Sequence, residues 1–266
     1  MKKRTTEVSR QTSDQDRGDQ WPETVYRYVE HYKWEPRQLC KGRPASEFLA
    51  KIRRQEPPLN FLLNMLCVTL PESWMQAALG SFSVSPKASM PTDLVQRFPI
   101  ELNECQPDVR LESETHRVFL ECKIEAYSDT VQMLKYLLLS AYLDDTDRQK
   151  HPWILYLSPG PLSMHWNPVS ERKALQTGGT DALRTLLETA DLSVLGSGKR
   201  ARALTDSVEA LRTRAVVGHT TWKQFGDALS RCAAIGTPSD LEYPVCRMTN
   251  DFLTELERRG LWASNM

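Results

Sequence analysis

Around residues 108–157 the chain changes its hydrophobic period from two to helical and then to a continuous apolar run. Val109 and Leu111 alternate with Asp108 and Arg110, and Val118, Leu120, Cys122 and Ile124 alternate with Phe119, Glu121 and Lys123. A period of two predicts short strands with one face against a core. Over residues 130–143 the pattern is helical. Leu134, Leu137, Leu138 and Ala141 form a broad apolar stripe, and Ser128 or Asp129 serves as N-cap. Residues 153–157 are then uniformly apolar and read as a buried strand, stopped by Ser158-Pro159-Gly160-Pro161. A strand, a helix and a further strand in this order predict a β-α-β crossover within one sheet.

The remaining segments read mainly as helices: 21–32, 45–54, 59–66 and 74–79 before the strands, then 182–190, 201–214, 222–232 and 248–259 after them. The last of these ends near Gly260. Residues 216–221 are expected as a strand, and Trp222 as a packing residue. Residues 81–93, rich in Ser and Pro, are expected as a loop, 144–152 as a polar connector, and 162–181, with Pro168, Gly178 and Gly179, as loop-rich. The polar start, residues 1–20, lacks the apolar stretch of a signal peptide and is expected to be disordered. The predicted organisation is α/β: a disordered tail at 1–20, a helical part at 21–95, a core at 96–162 and a mainly helical part at 163–266.

The candidate chemistry lies on the two predicted strands and the helix after them. A turn centred on Glu114-Thr115, within the polar stretch 113–117, pairs the strands antiparallel and sets Asp108 opposite Glu121. Directly opposed side chains lie about 5 Å apart. Two carboxylates so close repel unless a cation sits between them, and Mg²⁺ takes one or two carboxylates together with phosphate and water. Lys123 shares a strand face with Glu121, where it can orient or help deprotonate a metal-bound water, or stabilise charge on a phosphate. Gln132 and Tyr136, four apart, share one face at the start of the helix, within reach of substrate or water. The set suits in-line attack of water on a phosphodiester. On any one of these patches alone, a turn dipeptide, a solvated charge pair or an ordinary helix face is the simpler reading.

Pro107-Asp108, Glu121-Cys122-Lys123 and Gln132-x-x-x-Tyr136, in that order, resemble the PD-(D/E)XK nuclease superfamily, in particular its RecB-like branch with a Gln-x-x-x-Tyr helix motif. The resemblance implies a restriction-endonuclease-like core, with a central mixed β-sheet flanked by helices and extra N- and C-terminal helices. It also implies Mg²⁺- or Mn²⁺-dependent cleavage of DNA, leaving 5′-phosphate and 3′-hydroxyl ends. By matching position Asp108 and Glu121 would be metal ligands, with the carbonyl of Cys122 as a third. Lys123 would be the catalytic lysine, and Gln132 and Tyr136 the accessory motif. The upstream glutamate of many members is matched by Glu56, in Glu56-Pro57-Pro58-Leu59-Asn60, with Glu101 and Glu104 as rivals. Restriction, repair or phage defence are the settings this implies. A catalytically silent DNA-binding module and an adaptor acting with a partner protein are the competing classes.

Composition adds limits. The 266 residues carry no net charge, so no global basic surplus advertises nucleic acid. Basic residues do concentrate at Lys33, Arg37, Lys41, Arg43, Lys51, Arg53 and Arg54, a candidate phosphate-contacting surface or a solvated face. The six cysteines form no Cys-x-x-Cys pair and the five histidines no ligand spacing, as expected of a chain in a reducing cytoplasm. Gly196-Ser197-Gly198-Lys199-Arg200 lacks the spacing of a phosphate loop and reads as an exposed basic turn. The apolar run 59–70 is too short and too interrupted by Asn to span a membrane. A protein partner or homo-oligomer stays open.

Overall fold

The computed structural model describes residues 21–26, 45–102, 104–144, 149–196, 199–234 and 243–264. The tail at 1–20 lies outside these. So do most of the basic stretch 33–54, the later part of the helix expected at 21–32, the middle of the connector 144–152, and residues 197 and 198.

The described chain is α/β, with a mixed six-stranded sheet between two helical layers. Residues 21–26 are helical. Helices α1 (Ala45–Ile52), α2 (Glu56–Thr69) and α3 (Glu72–Leu79) precede strands β1 (Ser83–Ser85), β2 (Val95–Arg97), β3 (Val109–Glu112) and β4 (His116–Cys122). Then come α4 (Thr130–Leu143), β5 (His151–Ser158), α5 (Val169–Thr189), α6 (Lys199–Arg214), β6 (Val216–Thr221), α7 (Trp222–Ala234) and α8 (Tyr243–Arg258). The sheet order is β1-β6-β5-β4-β3-β2. β4, β5 and β6 run parallel, and the outer pairings are antiparallel. The sheet thus draws strands from both sides of the 96–162 core.

Why these residues fold this way follows from their two faces. Val109, Leu111, Val118, Leu120 and Cys122 point into a core shared with α2, α3, α7 and α8. Phe119, Ile154, Tyr156 and Val217 point into a second core against α4, α5 and α6. β5 is apolar on both faces because both are covered, as central parallel strands require. α4 is buried around most of its circumference, so its apolar surface is wider than a single stripe. No helix among the described residues is long and apolar enough to cross a membrane.

The turn between β3 and β4 fixes their register. Ser113 N–H donates to the His116 carbonyl at 3.0 Å, and Ser113 Oγ accepts from the main-chain N–H of His116 at 3.1 Å. The ladder pairs Val109 with Leu120, Arg110 with Phe119, Leu111 with Val118 and Glu112 with Arg117.

Five local readings need correction. β1 lies in the segment expected as a loop, and β2 was not expected at all. Both are three-residue edge strands with no alternating apolar set, in keeping with how exposed edges are built. Residues 169–189 form α5, where a loop-rich segment was expected. Gly179 does interrupt it, at φ 53° and ψ −129°, but the helix resumes at once on an apolar face carrying Leu183 and Leu187. His116 and Arg117 belong to β4, not to the turn. The Arg117 guanidinium is buried against Glu112 (2.7 Å), Asp144 (2.8 Å) and the Ser140 carbonyl (2.8 Å), and so pins β4 to the end of α4. Lys199 and Arg200 open α6 instead of lying in a basic turn.

Candidate active site

One step beyond the Val109–Leu120 pair, the β3–β4 register sets Asp108 against Glu121. Asp108 Oδ2 accepts from the main-chain N–H of Cys122 at 2.7 Å, which locks the acid onto the neighbouring strand. Its Oδ1 accepts from Asn60 Nδ2 at 2.5 Å. Asn64, one helical turn further along α2, donates to the Asp108 carbonyl at 2.5 Å and accepts from Gln96 Nε2 at 2.8 Å. Helix α2 therefore grips Asp108 through two asparagines on one face.

Glu121 is the hub of a second set. Lys123 Nζ lies 2.6 Å from Glu121 Oε1, and Gln132 Nε2 donates to the same oxygen at 2.6 Å. The Tyr136 hydroxyl donates to Oε2. Asp129 caps α4 by accepting from Gln132 N–H at 2.7 Å. Ser128 Oγ donates to Gln132 Oε1 at 2.5 Å, leaving the amide nitrogen turned to Glu121. Glu121 is 4% exposed and Lys123 5% exposed, which removes the solvated-face reading of this pair. Tyr136 is fully buried and stacks on Phe119 with ring centroids 5.4 Å apart. In this arrangement Gln132 and Tyr136 hold a carboxylate, where substrate or water contact was expected.

Glu56 reaches the same strand end. As the first residue of α2, its Oε1 accepts from the main-chain N–H groups of Ile124 (2.6 Å), Ala126 (3.1 Å) and Glu125 (3.3 Å). Its charge bears on both Asp108 and Lys123. The rivals sit elsewhere: Glu101 is exposed, and Glu104 lines a small cavity with Asp129, Gln132 and Lys135.

The electrostatics follow from burial and crowding. Burial raises the Asp108 carboxyl well above the usual carboxylate range, and the charge on Glu121 raises it further. The Cys122 N–H and Lys123 pull it back only in part. Burial opposes the charged form of Lys123, but Glu121, Glu56 and Asp108 outweigh it and hold the ammonium above its ordinary pKa. Burial also pushes the Cys122 thiol far up, consistent with a core cysteine.

Three carboxylates thus face one ammonium, a surplus of negative charge that a hard divalent cation relieves. Asn60 Oδ1, beside Asp108, is a buried oxygen with no hydrogen-bond partner. This donor set, all oxygens, fits Mg²⁺ or Mn²⁺ chemically. Among the described residues, no group of three His, Cys, Asp or Glu side chains is already gathered as a cage.

Sequence reasoning missed Asn64, Ser128 as a brace for Gln132, and the contact of Trp222, whose indole N–H donates to the Lys123 carbonyl at 3.0 Å. A signal for the asparagines was present: Asn60 and Asn64 stand four apart in an otherwise apolar helix, which marks one polar face. No family model, curated protein or solved structure matches the chain.

Proposed function

We propose that this chain is a metal-dependent nuclease that hydrolyses DNA phosphodiester bonds, an endonuclease-type enzyme of phage defence, restriction or DNA repair acting in the cytoplasm. The observation that carries this reading is the hairpin register that sets Asp108 against Glu121, with Lys123 bonded to Glu121 in a buried site. Asp108, Glu121 and the main-chain carbonyl of Cys122 are the groups that would hold the cation, with Glu56 beside them. A bound Mg²⁺ or Mn²⁺ supplies an acidified water and neutralises charge on the phosphate.

The chain's own side chains divide the remaining work. Lys123, beside Glu121, Glu56 and Asp108, orients a water and stabilises charge building on a phosphate oxygen. Gln132 and Tyr136 position Glu121. Asn60 and the Cys122 N–H position Asp108.

The decisive experiment is a cleavage assay on single-stranded, linear duplex and supercoiled DNA with Mg²⁺ or Mn²⁺. Wild type should cut, EDTA should stop it, and Lys123→Ala and Asp108→Ala should each lose roughly 100-fold or more, the scale of a lost electrostatic stabiliser. Equal activity in all three proteins would sink the assignment. One observation favours a second reading, a catalytically silent nuclease-fold module: both oxygens of Glu121 and both of Asp108 already accept hydrogen bonds from the protein. DNA binding without cleavage under any divalent ion would select it.

A further inference from the structure

A groove of about 330 Å³ runs between α2 and the segment after β2 and ends on Asp108. Two aromatic side chains line it: Phe98, 83% exposed, and Phe61, 46% exposed. Exposed aromatics beside a buried acid need a reason, because apolar surface held open to water is a mark of binding. The floor is built from amides. Gln96 donates to Asn64, Asn64 to the Asp108 carbonyl, and Asn60 to Asp108 Oδ1. The Asn60 Oδ1 acceptor is left buried and without a partner.

We infer that this groove holds an unpaired nucleobase of single-stranded DNA, stacked on Phe98 and Phe61. The inference rests on the nuclease reading and narrows it to a substrate class. No cationic side chain lines the groove and Asp108 closes it, so it suits a neutral, flat heterocycle better than a phosphate. Side-chain amides carry both donors and acceptors, the complement of a base's hydrogen-bonding edge. A base within a duplex has its hydrogen-bonding edge and both faces occupied, so only an unpaired base can enter. Aromatic side chains that stack on successive bases are the common device of single-strand binding.

The test separates binding from cleavage. Binding of a fluorescein-labelled oligothymidylate of about 16 nucleotides, and of a duplex of the same length, is measured by anisotropy in EDTA. Wild type, Phe98→Ala, Phe61→Ala and the control Tyr243→Ala, an exposed aromatic on α8, are compared. The single strand should bind more tightly than the duplex. Each Phe variant should weaken it about fivefold or more, the factor that a lost stacking contact implies, and Tyr243→Ala should not. Unchanged affinity in both Phe variants, or a preference for duplex, overturns the inference even if wild type cleaves DNA. Self-association of wild type that Phe98→Ala abolishes, without single-strand binding, overturns it too and assigns the groove to a second copy of the chain. Single-strand binding that Phe98→Ala weakens, in a protein that never cleaves, upholds the inference and removes the nuclease reading.

Discussion

Trp222 donates its indole N–H to the main-chain carbonyl of Lys123 at 3.0 Å, across ninety-nine residues of sequence. The bond ties the first residue of α7 to the strand end that carries the candidate lysine, and the ring is fully buried. Trp222→Phe keeps most of the packing and removes the donor. Leaving a buried carbonyl without its partner costs about 1–3 kcal/mol. Urea denaturation should report a loss of that order. Under the nuclease reading, cleavage by the folded variant should fall further than its folded fraction, because Lys123 loses the anchor of its own backbone.

Glu56 makes a different kind of link, between a helix start and the loop after β4. Glu56→Gln retains an acceptor oxygen for those N–H groups and deletes a charge. It should unfold near the wild-type midpoint while needing more Mg²⁺ for half-maximal cleavage. Glu56→Ala removes the acceptor and should lose about 1–2 kcal/mol of stability. Identical Mg²⁺ dependence in wild type and Glu56→Gln would remove Glu56 from the site.

His219 supplies a pH dependence. It sits beside Ser158, with Nε2 2.8 Å from Ser158 Oγ, and burial lowers its pKa to about 4, with His165 acting in the same direction. The unfolded chain takes up a proton near pH 6.5 that the folded chain refuses until about pH 4. This contribution to stability is therefore complete above pH 6.5 and drains away as pH falls toward 4, by about 3 kcal/mol at the end of that window. His219→Gln, which can still bond Ser158, should flatten the difference in urea stability between pH 7 and pH 4.5. Parallel curves for the two proteins would contradict the assignment.

Gly218 lies in β6 between β5 and β1. A Cβ there would come within 2.8 Å of Leu155 Cδ2, 2.8 Å of Val84 Cγ1 and 2.9 Å of the Ser83 carbonyl. The side chains can turn, but the carbonyl belongs to the edge strand and cannot move without breaking its ladder. Gly218→Ala should cost about 1–3 kcal/mol, read by thermal unfolding, with faster hydrogen exchange in β1 than elsewhere in the sheet.

How much was legible in the sequence depends on the source of each signal. The β3–β4 pairing was readable because alternation and the length of the polar stretch leave one register that buries both apolar faces. α4 and its cap at Asp129 were readable for the same local reason. β1 and β2 carry no period of their own; they exist because β6 and β3 offer open edges. Gly178 and Gly179 suggested a breaker, but packing of Leu175 and Leu183 carries α5 past Gly179. That these residues gather around Glu121 was legible, and the hydrogen bonds that hold them there were not. Gln132 and Tyr136 face inward to Glu121 because α4 is buried almost all round, a tertiary fact that helical spacing does not contain. Glu56 could be named only as one of several acids, since its role depends on where α2 docks.

The turn closed by Ser113 contributes no group to the candidate site, yet with the β4–β5 ladder it sets which side chains the site receives. A one-residue slip moves every side chain of a strand to the opposite face. A one-residue slip of β4 against both β3 and β5 would turn Glu121 and Lys123 toward the apolar layer of α2 and α8, and send Val118, Leu120 and Cys122 toward α4. The site therefore depends on the register that the turn and the β4–β5 ladder fix together. Its chemistry depends on counting as much as on composition.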